Sequence, residues 1–380
     1  MDIAAWFLLK LRRVHFYHWE SVRNTNKGDI AIRETLKAQL RKAFAPADVH
    51  FDELKWGQLK VHMAAEMNRS CDLLVIGGSG YIRPMHNREL PKDVLEDAKV
   101  FGMLDCPVVA YGIGWNCLLD KDGPPVDPLT PTGYEQLKEV LKTIDLISVR
   151  DRATQELVRE VSGRAPSLVG DPALFYADLF AGSVQRSTGK SLQVGLNMAI
   201  HGPEAAKRIE QEFDSYCAFL KAFTREHSAT FHYVHHAQTE CVIPLMLASR
   251  GISVQSHDLP AEKLIDFYRT LDIHICQMMH SSVLSLGALV PTMNFGYDIK
   301  NRGLFELMGL EEFYFSSWNF DEKAALKAAG RLIGERDRLV AQIAARKKEL
   351  GEELDKFLRS VVELTTLRTA GELRNHADSR

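Results

Sequence analysis

The stretch from Leu271 to Leu310 carries the densest set of side chains able to do chemistry. His280 follows the apolar run Asp272–Met278 and precedes Ser281 and Ser282; after a second apolar run, Thr292–Phe295, come Tyr297, Asp298, Lys300 and Arg302. An imidazole titrates near neutral pH and can give or take a proton, while lysine and arginine hold anions. The spacing predicts strand, helix and strand within about thirty residues, a parallel βαβ unit, with the helix opened by the two serines. Both polar groups then fall at strand ends, where open α/β sheets bind ligands, and the fold itself does not require polar residues there.

Smaller groups of the same kind lie earlier. Asn26, Gly28 and Asp29 stand in Asn-Thr-Asn-Lys-Gly-Asp, between a strand at residues 14–19 and a helix at 30–44; the reading gives Gly28 a turn that other residues cannot make and Asp29 the helix cap. Gly78 and Ser79 end an apolar run at 72–76, where exposed backbone amides could hold an anion or a hydroxyl. Gly114 and Trp115 end another, with Trp115 either a platform for a sugar ring or a core side chain. Arg150, followed by Asp151, closes the run at 146–149 and either grips an anion at two points or pairs with its neighbour. His235 and His236 follow the run at 230–234 with Glu240 and Asp258 nearby, but no ligand spacing repeats and no metal is expected.

The elements that must position these residues alternate from end to end. Apolar strands ending in glycines or polar residues alternate with helical patterns, the mark of parallel sheets buried on both faces. A Gly, Ser and Thr-rich tract at 181–191 interrupts the rhythm, so residues 1–180 and 192–318 read as two Rossmann-like, doubly wound α/β domains joined by a linker. Residues 319–380 read as helices that pack back on the first domain. Formal net charge is −3 and basic residues form no block, which gives no footprint for nucleic acid. The apolar stretch at 4–11 is too short to span a membrane and reads as a buried strand or an amphipathic turn. Six scattered cysteines without paired spacing suit a reduced, cytoplasmic protein.

In order and spacing these motifs resemble the polysaccharide pyruvyl transferase family. That family ends in a strand, Arg-x-His, a small-residue helix, a Gly-x-Pro strand and Tyr-Asp-x-Lys; here His280, Pro291, Tyr297, Asp298 and Lys300 match, and Met278 stands where the family has arginine. The Asn-x-Gly-Asp, Val-Arg-Asp and Gly-Asp-Pro motifs match as well. The resemblance implies a GT-B-like α/β fold with a C-terminal helical segment and an active site between the domains. It implies transfer of the enolpyruvyl unit of phosphoenolpyruvate, a co-substrate with no further cofactor, onto two sugar hydroxyls as a cyclic ketal in surface or exopolysaccharide biosynthesis. His280 would then be catalytic. Arg150, Asn197, His201, Ser281, Ser282, Lys300 and Arg302 would bind the donor, with Lys300, Arg302, Arg150 or His201 replacing the charge missing at Met278. Asn26, Gly28, Asp29, Gly78, Ser79, Gly114 and Trp115 would face the acceptor, with His235 and Tyr297 as further candidates. The partner is a sugar or glycan; a lipid-linked acceptor, peripheral membrane contact and a homo-oligomer stay open. Two alternatives remain: a nucleotide-sugar glycosyltransferase on the same fold, and a non-catalytic binding protein with a degenerate donor site.

Overall fold

The structure, a computed structural model, describes residues 12–18, 26–119, 125, 128–183, 191–199, 205–317 and 320–378. The expected N-terminal stretch at 4–11, most of the linker (184–190) and His201 lie outside the described residues. Six parallel strands, β1 (Arg12–His18), β2 (Val49–Lys55), β3 (Leu73–Gly77), β4 (Val108–Ile113), β5 (Leu146–Val149) and β6 (Ser167–Leu168), form one sheet in the order β2-β1-β3-β4-β5-β6. Helices α1 (Lys27–Phe44), α2 (Ala64–Ser70), α3 (Lys92–Phe101), α4 (Pro131–Lys142) and α5 (Arg152–Ser162) connect them, and α6 (Tyr176–Phe180) follows.

The second sheet is also parallel. Its strands are β7 (Leu192–Asn197), β8 (Ala229–Val234), β9 (Gln255–His257), β10 (Ile273–Cys276), β11 (Thr292–Gly296) and β12 (Tyr314–Ser316), ordered β12-β11-β10-β7-β8-β9. Helices α7 (Ala205–Glu226), α8 (Ile243–Ser249), α9 (Ala261–Tyr268), α10 (Met279–Gly287), α11 (Ile299–Met308), α12 (Glu322–Gly334) and α13 (Arg336–Asp378) belong to this half and its extension. The inner strands are fully buried apolar runs, Leu-Leu-Val-Ile-Gly in β3 and Val-Val-Ala-Tyr-Gly-Ile in β4, as strands covered on both faces require. The two strands that periodicity misses are edges: β2 alternates with charged residues, and β12 has three residues.

Each sheet reverses its order beside its first strand, between β1 and β3 and between β7 and β10. Ligands of open α/β sheets bind outside the strand ends at such switch points. Asn26, Ser79, Asn197 and His280 stand at or just beyond the ends of these four strands, so topology alone gathers residues that are far apart in sequence.

The halves share one core. A single apolar cluster runs from Leu36 and Leu40 on α1, through Leu174 and Tyr176, to Val283 and Leu286 on α10 and Leu354 and Leu358 on α13. Gly287 brings α10 against backbone, since a Cβ there would stand 2.6 Å from the Leu174 carbonyl oxygen. Helix α13 binds the second half first, through Arg336 to the Asp272 carbonyl and Arg346 to that of Leu307. It ends on the first half, with Phe357 against Tyr111 and Arg368 on Asp145 and the carbonyls of Asp105 and Cys106. Those anchors are about 48 Å apart at helical rise. Among the described residues, no helix is long and apolar enough to cross a membrane.

Candidate active site

Helix α10 begins at Met279, two residues before the serines expected to open it, so His280 sits in its first turn. No side chain caps this helix; the amide of Met278 instead donates to Asn197 Oδ1 (3.3 Å). Across the cleft, α1 begins at Lys27 and is capped by Asn26, whose Oδ1 accepts from the Gly28 amide (3.1 Å). Asp29 is therefore a first-turn carboxylate and not the cap. The two helix N-termini, one from each half, meet through His280: its Nδ1 stands 3.3 Å from Asn26 Oδ1 and its Nε2 3.8 Å from Asp29 Oδ1. Because Asn26 Oδ1 is an acceptor, the proton of that contact belongs to His280 Nδ1.

Gly28 has a helical backbone, not the special turn expected from sequence. Its need is space, because a Cβ there would fall 2.1 Å from His280 Cγ. Two other glycines follow the same rule. A Cβ on Gly114 would lie 2.0 Å from Arg150 Nε, and one on Gly80 would lie 2.1 Å from Asn116 Nδ2. Ser79 adopts a left-handed φ of 60°, an uncommon and costly conformation for a residue with a Cβ.

These residues enclose a cavity of about 70 Å³. The first half contributes Asn26, Ser79, Gly80, Asn116 and Arg150; the second contributes Met278, Met279, His280, Tyr297 and Lys300. Unpaired amides at the start of a helix, together with its dipole, attract anions. Lys300 adds a cation and is 3.7 Å from Asp298. Arg150 is buried; it donates to Asn116 Oδ1 (2.9 Å) and lies 3.5 Å from Asp151 and 3.8 Å from Asp171. Burial raises both aspartates above the usual carboxylate range, against the pull of Arg150. Arg150 therefore borders the cavity while pairing with its neighbour Asp151 and with Asp171. Met278 buries its side chain with Ala199 and Tyr297 and forms an apolar wall.

Several expected contacts do not reach the cavity. Ser281 and Ser282 are fully buried, Ser281 on His274 Nε2 (2.7 Å) and Tyr268, and Ser282 against Cys276 and Asn294, because helical spacing turns both into the second half. Asn197 is buried between the Val234 carbonyl and Glu240. Arg302 turns outward to Glu306 (3.5 Å). Trp115 packs beside Cys117, Leu119 and Ile299 between the halves, and the glycines at 78 and 114 serve close packing against Ile32 and Arg150. His235 bonds Ser256 Oγ (2.6 Å) and burial lowers its pKa; it lies behind the interface and not on the cavity. Among the described residues, no group of three or more His, Cys, Asp or Glu side chains could hold a metal ion.

Sequence reasoning missed Lys27, Asn116, Gly80 and Met279. Lys27, inside the Asn-Thr-Asn-Lys-Gly-Asp motif, crosses the interface to the His235 carbonyl (2.7 Å) and Asp258 (2.5 Å), and this bond holds the Asp258 carboxyl below its ordinary pKa. Asp298 is a second clasp: it caps α11, and Cys117–Leu119 of the first half pair with Asp298 and its neighbours. Both residues were within quoted motifs, but their contacts across the interface appear only once the facing domain is in place.

Three solved structures of similar fold are α,α-trehalose 6-phosphate synthase from Burkholderia multivorans (TM-score 0.54, 11% identity, 96% of this chain and 98% of that one), S. aureus MnaA with UDP (0.53, 11%, 89% and 91%) and UDP-GlcNAc 2-epimerase from Methanocaldococcus jannaschii (0.51, 11%, 84% and 92%). At such identities the likeness is one of fold, and that fold is GT-B. No curated protein matches the chain. The family model for polysaccharide pyruvyl transferase matches residues 26–299, from the cap of α1 through the Tyr-Asp pair at the cavity, and the chain belongs to that family.

Proposed function

We propose that this protein transfers the enolpyruvyl unit of phosphoenolpyruvate to two hydroxyls of a sugar in polysaccharide biosynthesis, giving a cyclic ketal and inorganic phosphate. The observation that carries the reading is His280, a proton-transfer group in the uncapped first turn of α10, facing Asn26 across a cavity that also holds Lys300. Proton delivery to the donor's methylene carbon makes the adjacent carbon oxocarbenium-like. One sugar hydroxyl attacks that carbon, phosphate leaves, and a second hydroxyl closes the ketal. Lys300, the α10 amides and Arg150 are the groups able to neutralise carboxylate and phosphate, and they stand in for the charge that Met278 lacks.

A cavity of about 70 Å³ is smaller than a sugar, so the reading requires the halves to part for the acceptor. The test is phosphate release from phosphoenolpyruvate by purified protein, with candidate free, aryl and lipid-linked sugars. Sugar-dependent release with a ketal detected by mass spectrometry is the expected outcome. No binding of phosphoenolpyruvate together with strong binding of a nucleotide sugar would replace this reading with a glycosyltransferase.

A further inference from the structure

Glu240 is fully buried in the turn Gln238–Val242 and does not border the cavity. Its Oε2 accepts two hydrogen bonds, from the His236 amide (2.9 Å) and from Asn197 Nδ2 (3.0 Å). Each donor leads to one side of the active site. Asn197 accepts the Met278 amide on its Oδ1 (3.3 Å) and the Gln277 amide on its carbonyl (3.0 Å), which fixes the start of the helix presenting His280. The His236 carbonyl accepts the Lys27 amide (3.1 Å) at the start of α1, beside the Asn26 that meets His280. One oxygen thus stands a single partner away from the origin of both helices.

We propose that Glu240 is a positioning residue of the active site, setting the His280 helix and the Asn26 helix at the spacing their contact needs through Asn197 and His236. This rests on the reading of His280 as the proton-transfer group. Two donors converging on one atom need an oxygen with two open lone pairs, which a neutral carboxyl or an amide supplies without a buried charge. Burial raises the Glu240 pKa to about 8, so the neutral acid is the form present near pH 7. The titratable groups acting on it are Lys27, whose charge favours ionisation, and Tyr233 and Tyr268, both held neutral by burial; His236 supplies its amide and is itself held neutral by burial.

The experiment follows the His280 ring by NMR in histidine-labelled protein, with its signal assigned through His280→Gln. Glu240→Gln keeps the acceptor and should leave the His280 midpoint in place, while Glu240→Ala should move it by about half a pH unit or more. The wild-type His280 signal should also show a second inflection near pH 8 that Glu240→Gln lacks. An unchanged midpoint in Glu240→Ala, or an inflection near pH 8 that persists in Glu240→Gln, overturns the proposal. If Glu240→Ala does not fold, the comparison of wild type with Glu240→Gln decides alone. The readout needs no turnover, so it stands whether or not phosphoenolpyruvate is the donor.

Discussion

His280 and Gly28 form a matched pair, one supplying an imidazole and the other the space for it. His280→Ala should lower turnover by roughly 10²–10⁴-fold while leaving the thermal transition nearly unchanged, the usual result of removing a proton-transfer group. Gly28→Ala should impair activity without replacing any group that does chemistry, because its Cβ would overlap and displace the His280 ring, and circular dichroism should still report a folded protein. At Met278 the side chain is part of an apolar wall, and Lys300 supplies the nearby charge. Met278→Arg should therefore leave phosphoenolpyruvate affinity unchanged or reduce it, as followed by calorimetric titration. A gain in affinity would mean that the wild-type site lacks the cation its donor needs. Glu240 gives a prediction on stability. Its folded pKa of about 8 lies above the ordinary 4.5, so the stability contributed by its protonated form is fully present below about pH 4.5 and is lost as pH rises through 8. Glu240→Gln should remove that part of the pH dependence, and its advantage over wild type in denaturant melts should grow from pH 5 to pH 9.

The elements that matter are helices whose first turns face the cleft and whose bodies belong to the core. Helix α10 is buried along most of its length, and Gly287 near its C-terminal end touches the Leu174 backbone. Gly287→Ala should cost about 1–3 kcal/mol, the usual range for overpacking, because a carbonyl oxygen 2.6 Å away cannot swing aside like a side chain. Chemical denaturation measures that loss. The sequence showed that a helix followed β10, but not where it began. The expected start at the serines came from their capping propensity, whereas the actual start at Met279 uses a backbone amide bonded to Asn197 from another strand. The cap of α1 likewise falls at Asn26 and not at Asp29, here through a local bond from the Gly28 amide.

In the whole molecule, α13 is a strap that keeps both sheets on one core. Its own Leu339, Ile343, Leu350, Leu354, Phe357, Leu358 and Val361 are buried. At about 1.5–3 kcal/mol for each such side chain, removing the helix forfeits on the order of 10 kcal/mol, comparable to the whole stability of a typical domain. A chain ending before Arg336 should accordingly be insoluble or unfolded in expression trials and in calorimetry, and not a trimmed active enzyme. The bonds from Lys27 to Asp258 and to the His235 carbonyl, and the pairing around Asp298, tie the cleft at two points, so any opening for a sugar must loosen at least one.

The alternation of apolar runs with helical patterns was enough to specify two parallel α/β sheets, because strands buried on both faces must be apolar throughout and end in glycine or polar residues. Motif order was enough for the family, and it singled out His280, Arg150, Tyr297 and Lys300, which line one cavity at or just beyond strand ends. What sequence could not settle was which polar residues face the cleft and which face the core. Ser281 and Ser282 sit beside His280 in the chain yet point inward, since neighbours on a helix are about 100° apart. Arg302 follows Lys300 and points outward for the same reason. Nor could it reveal that the glycines at 28, 80 and 114 yield space to His280, Asn116 and Arg150, because each intruding side chain comes from another element. Such pairings exist only after the sheets are docked, and the tertiary structure alone decided them.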